Sequence, residues 1–370
     1  MKQNRREWLK SSLGIGGLIL APSTFLNANE EKKFNQREYN LPIKLSSNEN
    51  PYGPSQRVLE RVKKSFQYGC RYPYSYADDL SIILARKHSV DPESIIITGG
   101  STEGLRITGI TFSRGGGEII AAKPTFLALM DYAQRWGATI NWVPVSSDMG
   151  YDLDEIEKRI SKKTKLVFLC NPNNPTGTLV PKEKLSDFCS TVSKDAILFS
   201  DEAYYEFIEE KDYPSMIDLV KKGYNVVVSK TFSKVYGMAG LRIGYLIAKP
   251  ELAKKIRENV VAMSNVLAIE GAKEALIDKE FFKFSLNKTS EAKENIYKTL
   301  DHLGLRYVRS HTNFIFFKSG IDIRKLGAKM LEKGVRIGRP FPPLYDWCRI
   351  STGTSQEVNR FISSILEVYS

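Results

Sequence analysis

Residues 225–245 read NVVVSKTFSKVYGMAGLRIGY, and this stretch guides the interpretation of the whole chain. Its apolar, β-branched start, Val226–Val228, predicts a short buried strand. Hydroxyl and amine side chains follow directly, and Lys234 stands eight residues before Arg242. Active sites of open α/β sheets lie beyond the carboxyl ends of the strands. The stretch is therefore either an amine beside a bound anion or an ordinary basic surface loop, and the rest of the chain has to decide between them.

Composition narrows the classes of protein to consider. The chain has 370 residues, of which 42% are hydrophobic and 26% charged, as in an ordinary globular protein large enough for more than one core. The net charge is +12, but the basic residues are interspersed with acids and form no stripe with interleaved aromatics. We therefore expect small-molecule anions as ligands and no nucleic acid. The four cysteines lack metal-ligand and CxxC spacing, which predicts buried thiols and no metal site.

Residues 1–28 have the features of an export signal. Arg5 and Arg6 precede a short apolar run over residues 13–20, which is too short to span a bilayer as a stable helix. The paired arginines resemble a twin-arginine signal. We expect periplasmic export with cleavage near residue 28, and no stable membrane span once the signal is removed. The alternative is a cytoplasmic protein that keeps this arm.

The order of predicted elements indicates an α/β fold with two domains. Strands and helices alternate from about residue 80 to residue 250, which predicts βαβ units and a mostly parallel sheet flanked by helices. Beyond this point long amphipathic helices dominate, which predicts a smaller α+β domain. We expect residues 29–65 to form an N-terminal arm and part of the small domain, 66–255 the large domain, and 256–370 the small C-terminal domain.

Five polar motifs follow predicted strands: GGSTEG (99–104), KPTF (123–126), NPNNPTG (171–177), DEAY (201–204) and SKTFSK with GLRIG (229–244). A glycine turn that opens a helix presents backbone N–H groups to a phosphate. In their order and spacing the five motifs resemble the fold-type I, pyridoxal-phosphate-dependent aminotransferases of classes I and II. The likeness is greatest to histidinol-phosphate aminotransferases and covers residues 41–370. It implies the aspartate-aminotransferase-like fold and makes 66–255 the cofactor-binding domain.

The resemblance assigns catalytic roles to three residues. It makes Lys234 the lysine that bonds covalently to pyridoxal 5′-phosphate and later moves a proton at the substrate Cα. Lys230 is the competing lysine, and the spacing to the arginine of GLRIG favours Lys234. Asp201 pairs with the pyridine nitrogen, and Tyr204 and Asn174 donate hydrogen bonds to the ring hydroxyl oxygen.

The resemblance also implies contacts with the rest of the cofactor. Phe126 stacks on the ring. Tyr72 reaches the cofactor phosphate of the neighbouring subunit, so a homodimer with shared active sites is expected. The phosphate is held by the backbone of Ser101 and Thr102, by the hydroxyls of Thr231 and Ser233, and by Arg242.

Substrate contacts are implied for three further positions. Arg349, in WCRISTGT, resembles the arginine that clamps a substrate carboxylate with its planar fork. Asn48, in SSNENP, lies in a loop that covers the site in this family. Arg339 stands about where an arginine for a substrate phosphate is expected, with Arg336 as the alternative.

Two features depart from the pattern of histidinol-phosphate enzymes. The run over residues 340–344, PFPPL, is rich in proline and aromatic where a polar loop is usual, and an export signal does not suit a histidine-pathway enzyme. We therefore expect transamination between a histidinol-phosphate-like or aromatic amino donor and a 2-oxo acid such as 2-oxoglutarate. The alternative is a decarboxylase or other lyase on the same scaffold, since the same residues would serve it.

Overall fold

The computed structural model describes residues 41–370. Within this range, Ile43–Ser370 form one compact unit. The predicted export signal, 1–28, and residues 29–40 of the predicted arm lie outside the described residues.

Helices alternate with strands along the first two thirds of the unit, as expected for βαβ units. The helices are α1 (Gln56–Ser65), α2 (Tyr74–His88), α3 (Ser101–Ser113), α4 (Ala128–Arg135), α5 (Leu153–Lys158), α6 (Lys182–Asp195), α7 (Ile217–Lys221), α8 (Pro250–Arg257), α9 (Val266–Ile277), α10 (Lys279–His302), α11 (Ile323–Glu332) and α12 (Ser355–Tyr369). The strands are β1 (Ile43–Lys44), β2 (Ile95–Thr98), β3 (Gly117–Lys123), β4 (Ala138–Pro144), β5 (Thr164–Cys170), β6 (Ile197–Asp201), β7 (Val226–Thr231), β8 (Gly244–Ala248), β9 (Tyr307–Val308), β10 (Phe314–Lys318), β11 (Val335–Arg336) and β12 (Trp347–Ser351).

The main sheet has seven strands in the order β2-β8-β7-β6-β5-β3-β4. Strand β8 runs antiparallel to both neighbours, and the other pairings are parallel. The predicted mostly parallel sheet is thus confirmed. Because the parallel strands share one direction, the residues that follow β2, β3, β5, β6 and β7 meet at a single edge of the sheet.

The two faces of this sheet are both covered, since successive side chains of a strand point to opposite sides. Val226 and Val228 pack in one apolar cluster with helix residues such as Leu84 and Phe188, whereas Val227 packs in a second cluster with Leu105. All three valines are fully buried. Their burial on both faces is the physical reason why an unbroken apolar run forms a central strand here.

A smaller layer follows the main sheet. Strands β12, β10 and β9 form an antiparallel sheet, and β1 pairs in parallel with β11. A third apolar cluster joins these strands to α10, α11 and α12. Helix α8 continues across residues 255 and 256, and Leu252 and Ile256 on it pack against the main sheet. The predicted domain limits, 29–65, 66–255 and 256–370, stay predictions.

Two details differ from the sequence-based expectations. Strand β8 is not among the predicted strands; its residues, GYLIA, begin at Gly244, the last residue of the GLRIG motif. Three cysteines are buried as predicted, but Cys70 is exposed, so the prediction was wrong for that thiol. No helix within residues 41–370 is long and apolar enough to cross a membrane.

Candidate active site

A cavity of about 640 Å³ opens where the strand ends of the main sheet meet the smaller layer. It brings together residues that are as much as 300 positions apart in the chain, from Ser46 to Arg349. Predicted site residues among its lining are Asn48, Ser101, Thr102, Phe126, Asn174, Asp201, Tyr204, Ser233, Lys234, Arg242, Arg336, Arg339 and Arg349. The five motifs therefore converge as the strand directions require.

Lys234 supplies the amine of the cavity. Its Nζ lies 3.0 Å from the carbonyl oxygen of Asn48 and 5.5 Å from the ring centre of Tyr204. Burial, followed by the charge of Arg349, lowers the pKa of Lys234 to about 8. A lysine with a lowered pKa has a larger neutral fraction at physiological pH, and the neutral amine is the nucleophilic form.

Lys230, the competing lysine, does not line this cavity. It is buried within strand β7, where its Nζ lies 3.1 Å from Glu202 and 3.4 Å from Glu206. Its amine also lies 3.9 Å from the ring centre of Tyr205. Burial alone would lower the pKa of Lys230, but the two carboxylates outweigh it and raise the pKa. Lys230 is therefore held as a charged, paired amine.

Asp201 ends strand β6 and is almost fully buried, with 3% of its surface exposed. Its Oδ1 has no hydrogen-bond partner in the described part of the chain. Burial raises the pKa of this carboxyl to about 7, even though the backbone N–H of Ala203 and the charge of Lys234 act in the other direction. An unpaired buried carboxylate is costly, so this atom is suited to a cationic or N–H-bearing ligand.

Tyr204, Asn174 and Arg349 form a connected group in the lining of the same cavity. The Asn174 amide lies 3.5 Å from the Tyr204 hydroxyl, and Arg349 Nη1 donates to Asn174 Oδ1 at 2.7 Å. Arg349 Nη2 donates to the Ser46 carbonyl at 2.6 Å, while its Nε has no partner within residues 41–370. Burial lowers the pKa of Arg349 to about 10, so the guanidinium is still positively charged at neutral pH. An arginine with a free donor beside a cavity is suited to a carboxylate.

Helix α3 begins at the cavity and forms an anion cradle. Gly100 precedes it with a φ of +80°, and a Cβ at this position would overlap the Arg242 guanidinium. Arg242 Nη1 lies 3.4 Å from Ser233 Oγ. The first N–H groups of a helix, a serine hydroxyl and an arginine together match a phosphate. Thr231 does not line the cavity; its hydroxyl lies behind Ser233 and donates to Ser233 Oγ at 3.0 Å.

The far side of the cavity carries Arg336 and Arg339. The Arg339 guanidinium lies 4.3 Å from the ring centre of Phe341, and Nη1 donates to the Pro340 carbonyl at 2.9 Å. Phe341 packs edge-on against Phe316, which belongs to a small buried aromatic cluster. The proline-rich run, residues 340–344, thus supplies the Phe341 ring against which the Arg339 guanidinium packs at the cavity wall.

Tyr72 lies apart from the cavity and is 81% exposed. Leu59, Phe66, Tyr68 and Tyr74 are exposed in the same part of the sequence.

Sequence reasoning missed several residues of the cavity wall: Ser46, Ser47, Glu49, Ala203, Ala239 and Ile337. Glu49 is the most consequential, since its negative charge, like that of Asp201, raises the Lys234 pKa against the effects of burial and Arg349. Its position beside Asn48 in the SSNENP loop was the available clue.

The unpaired Asp201 oxygen, the nearby amine and the anion cradle fit a flat, phosphate-bearing cofactor with a ring nitrogen. The model of the aminotransferase class I and II family matches residues 42–365. A histidinol-phosphate aminotransferase of Bacillus cytotoxicus is 36% identical over 327 residues, which cover 87% of this chain and 88% of that protein. One from Moorella thermoacetica is 37% identical over 344 residues, covering 90% and 87%.

Solved structures agree with this comparison. The histidinol-phosphate aminotransferase of Sinorhizobium meliloti in complex with pyridoxal 5′-phosphate has a TM-score of 0.83 and 25% identity, and the match covers 95% of this chain and 98% of that one. Aspartate aminotransferase from Thermus thermophilus shares the fold, with a TM-score of 0.80 at 22% identity and full coverage of both chains.

The chain belongs to the class I and II aminotransferases. It is an aminotransferase that depends on pyridoxal 5′-phosphate, with the aspartate-aminotransferase-like fold.

Proposed function

We propose that this enzyme transfers the amino group of a histidinol-phosphate-like or aromatic donor to a 2-oxo acid, and that Lys234, Asp201 and Tyr204 are its catalytic residues. The observation that carries the proposal is the meeting, in one cavity, of a lysine with a lowered pKa and a buried carboxylate whose Oδ1 has no partner within residues 41–370. When bound, pyridoxal phosphate supplies an electrophilic carbon and a ring that withdraws electrons from the substrate Cα.

The residues of the cavity bind and orient the cofactor and the substrate. Lys234 acts as the amine and then as the group that moves a proton at the substrate Cα. Asp201 would offer its Oδ1 to the ring nitrogen, and Tyr204 and Asn174 would donate to the ring hydroxyl oxygen. The N-terminus of α3, Ser233 and Arg242 would hold the phosphate, with Thr231 supporting Ser233 through its hydroxyl, and Phe126 would pack against the ring.

Arg349 is the proposed clamp for the carboxylate of an amino acid or 2-oxo acid. Its Nε has no hydrogen-bond partner among the described residues, and its two Nη groups make hydrogen bonds to Ser46 and Asn174. Arg339 is the proposed contact for a second anionic group or an aromatic side chain, because its guanidinium lies over the Phe341 ring at the cavity wall. Arg336 is the alternative for the same role.

An amino-donor panel tests the substrate proposal. Histidinol phosphate, phenylalanine, tyrosine, histidine and alanine are mixed with 2-oxoglutarate, and glutamate is measured. We expect turnover of aromatic donors as well as histidinol phosphate. Exclusive use of histidinol phosphate would refute the broader specificity, and release of carbon dioxide without glutamate would indicate a lyase.

Paired arginine variants locate the anion contact. Arg339→Ala should raise KM for histidinol phosphate by roughly tenfold, the loss expected for one charge-assisted contact, and change KM for phenylalanine less. Arg336→Ala is the matched control. The opposite pattern would assign the contact to Arg336.

We further propose a homodimer in which Tyr72 reaches the partner's cofactor. The exposure of Tyr72 and of neighbouring apolar side chains supports this. Sedimentation should give a dimer, and mixed dimers of Tyr72→Phe and Lys234→Ala subunits should regain activity because one site then has both native residues. Inactive mixed dimers would contradict site sharing.

Residues 1–28 are proposed to direct twin-arginine export to the periplasm. The paired Arg5 and Arg6 before the apolar run support it. Cell fractionation should find a shortened protein in the periplasm, and Arg5→Lys with Arg6→Lys should retain it in the cytoplasm. Full-length protein found only in the cytoplasm would exclude export.

A further inference from the structure

Asn48 joins three parts of the active site. It lies in the SSNENP loop with 1% of its surface exposed and a φ of +55°. Its side-chain Nδ2 lies 2.9 Å from the Tyr204 hydroxyl, its Oδ1 lies 2.8 Å from Ser351 Oγ, and its carbonyl accepts from Lys234 Nζ at 3.0 Å. A buried asparagine with all its groups engaged holds its neighbours in fixed directions.

The hydrogen bonds with Ser351 determine which way the Asn48 amide faces. The backbone N–H of Asn48 donates to Ser351 Oγ at 2.8 Å, so the hydroxyl oxygen is an acceptor there. The single hydrogen of that hydroxyl then needs another acceptor, and Asn48 Oδ1 is the one available among the described residues. The amide oxygen therefore faces Ser351, and the NH₂ group faces Tyr204.

This orientation makes the Tyr204 oxygen an acceptor toward Asn48. The phenol has one hydrogen, which is thus directed away from Asn48. The Asn174 amide, 3.5 Å away, offers a further donor to the same oxygen and no acceptor in that direction. The phenol hydrogen is left to point into the cavity, where it can only act as a donor to a ligand.

We infer that Asn48 is a positioning residue that keeps Tyr204 as a hydrogen-bond donor to the cofactor's ring hydroxyl oxygen, with Ser351 as its anchor. The inference rests on the proposed role of Tyr204. Accepting a hydrogen bond makes a phenol a stronger donor. Burial raises the pKa of Tyr204, and the bond from Asn48 acts against that rise, which agrees with this role. Ser351 lies two residues after Arg349 on β12, so the same strand carries the anchor and the proposed carboxylate clamp.

Asn48→Gly is the decisive variant, because glycine accepts a positive φ and keeps the carbonyl that faces Lys234. The readout is the pH midpoint of the visible absorbance of the cofactor-loaded enzyme. A weaker donor stabilises the anionic ring oxygen less, so protonation becomes easier and the midpoint should rise. We expect a rise of roughly half a pH unit to one unit, as one hydrogen bond produces. Ser351→Ala should shift the midpoint in the same direction by less.

A double-mutant cycle separates this role from a merely structural one. If Asn48 acts through Tyr204, Asn48→Gly should leave the midpoint unchanged in the Tyr204→Phe background. An equal shift in both backgrounds would overturn the inference. Asn50→Ala is the matched loop control: Asn50 anchors the same loop through Val235 and Ser285 without touching Tyr204. If Asn50→Ala shifts the pH midpoint as much as Asn48→Gly does, the order of the loop, and not the Asn48 amide, causes the shift.

The outcome is distinguishable from a failure of the proposed function. Absorbance that persists in Lys234→Ala would remove the lysine assignment itself. If that variant loses the band while Asn48→Gly keeps the wild-type midpoint, the proposed function stands and the role of Asn48 is refuted.

Discussion

Replacing Asp201 with asparagine should stabilise the cofactor-free enzyme while weakening its hold on the cofactor. The carboxyl is 3% exposed, one oxygen has no partner in the described chain, and burial raises its pKa from 3.8 to about 7. The folded state therefore binds this proton more tightly than the unfolded state does. The stabilising contribution of the protonated Asp201 carboxyl to the free energy of unfolding is present at acid pH and is lost as pH rises through about 7.

The structure sets the size of this effect. Between pH 4 and pH 7 the contribution of Asp201 to the free energy of unfolding falls by about 1.4 kcal/mol per pH unit. Above pH 7 the total loss is therefore about 4 kcal/mol. Asparagine does not titrate, so the advantage of Asp201→Asn over the wild type should grow across this window and then level off. Between pH 5 and pH 8 the difference should increase by about 2 to 3 kcal/mol.

Urea unfolding of both cofactor-free proteins at pH 5, 6, 7 and 8 measures this difference. A difference that is independent of pH would refute the reasoning, because the carboxyl would then not titrate between the two states. Adding pyridoxal phosphate provides the second half of the test. Ligand binding stabilises the native state, and the wild type should gain more than Asp201→Asn, which cannot offer a negative charge to the ring nitrogen.

Three other predictions concern two residues of the cavity region, Gly100 and Arg349, and the competing lysine, Lys230. Gly100→Ala should weaken pyridoxal phosphate binding by roughly tenfold in a fluorescence titration, since the added carbon meets Arg242 and φ is +80°; unchanged affinity would contradict the cradle. Arg349→Lys should raise KM for the amino donor by roughly tenfold or more with a smaller change in kcat, because lysine lacks the planar fork; unchanged KM would argue against the clamp. Lys230→Met should cost roughly 3 to 5 kcal/mol in urea unfolding by leaving the buried Glu202 without a counter-charge, and the loaded enzyme should keep its visible absorbance; loss of that band from folded protein would reopen the choice of lysine.

Local patterns were enough to predict most of the main sheet. Residues 164–170 form a strand because apolar side chains face both sides, and the asparagine- and proline-rich run after it cannot continue a strand. Strand β8 escaped prediction because its pairing with β2 and β7 comes from residues about 15 to 150 positions away.

The sequence by itself determined the order of the five motifs and the meeting of their strand ends, because parallel strands of alternating βαβ units share one direction. It also favoured Lys234 over Lys230 by spacing and resemblance. Only the tertiary structure decided how these residues differ physically. Lys230 packs between two carboxylates that raise its pKa, whereas Lys234 faces a cavity in which burial and the charge of Arg349 lower its pKa. Asn48 shows the same limit: its contacts with Tyr204 and Ser351 span 156 and 303 positions, and such distances are closed only by folding.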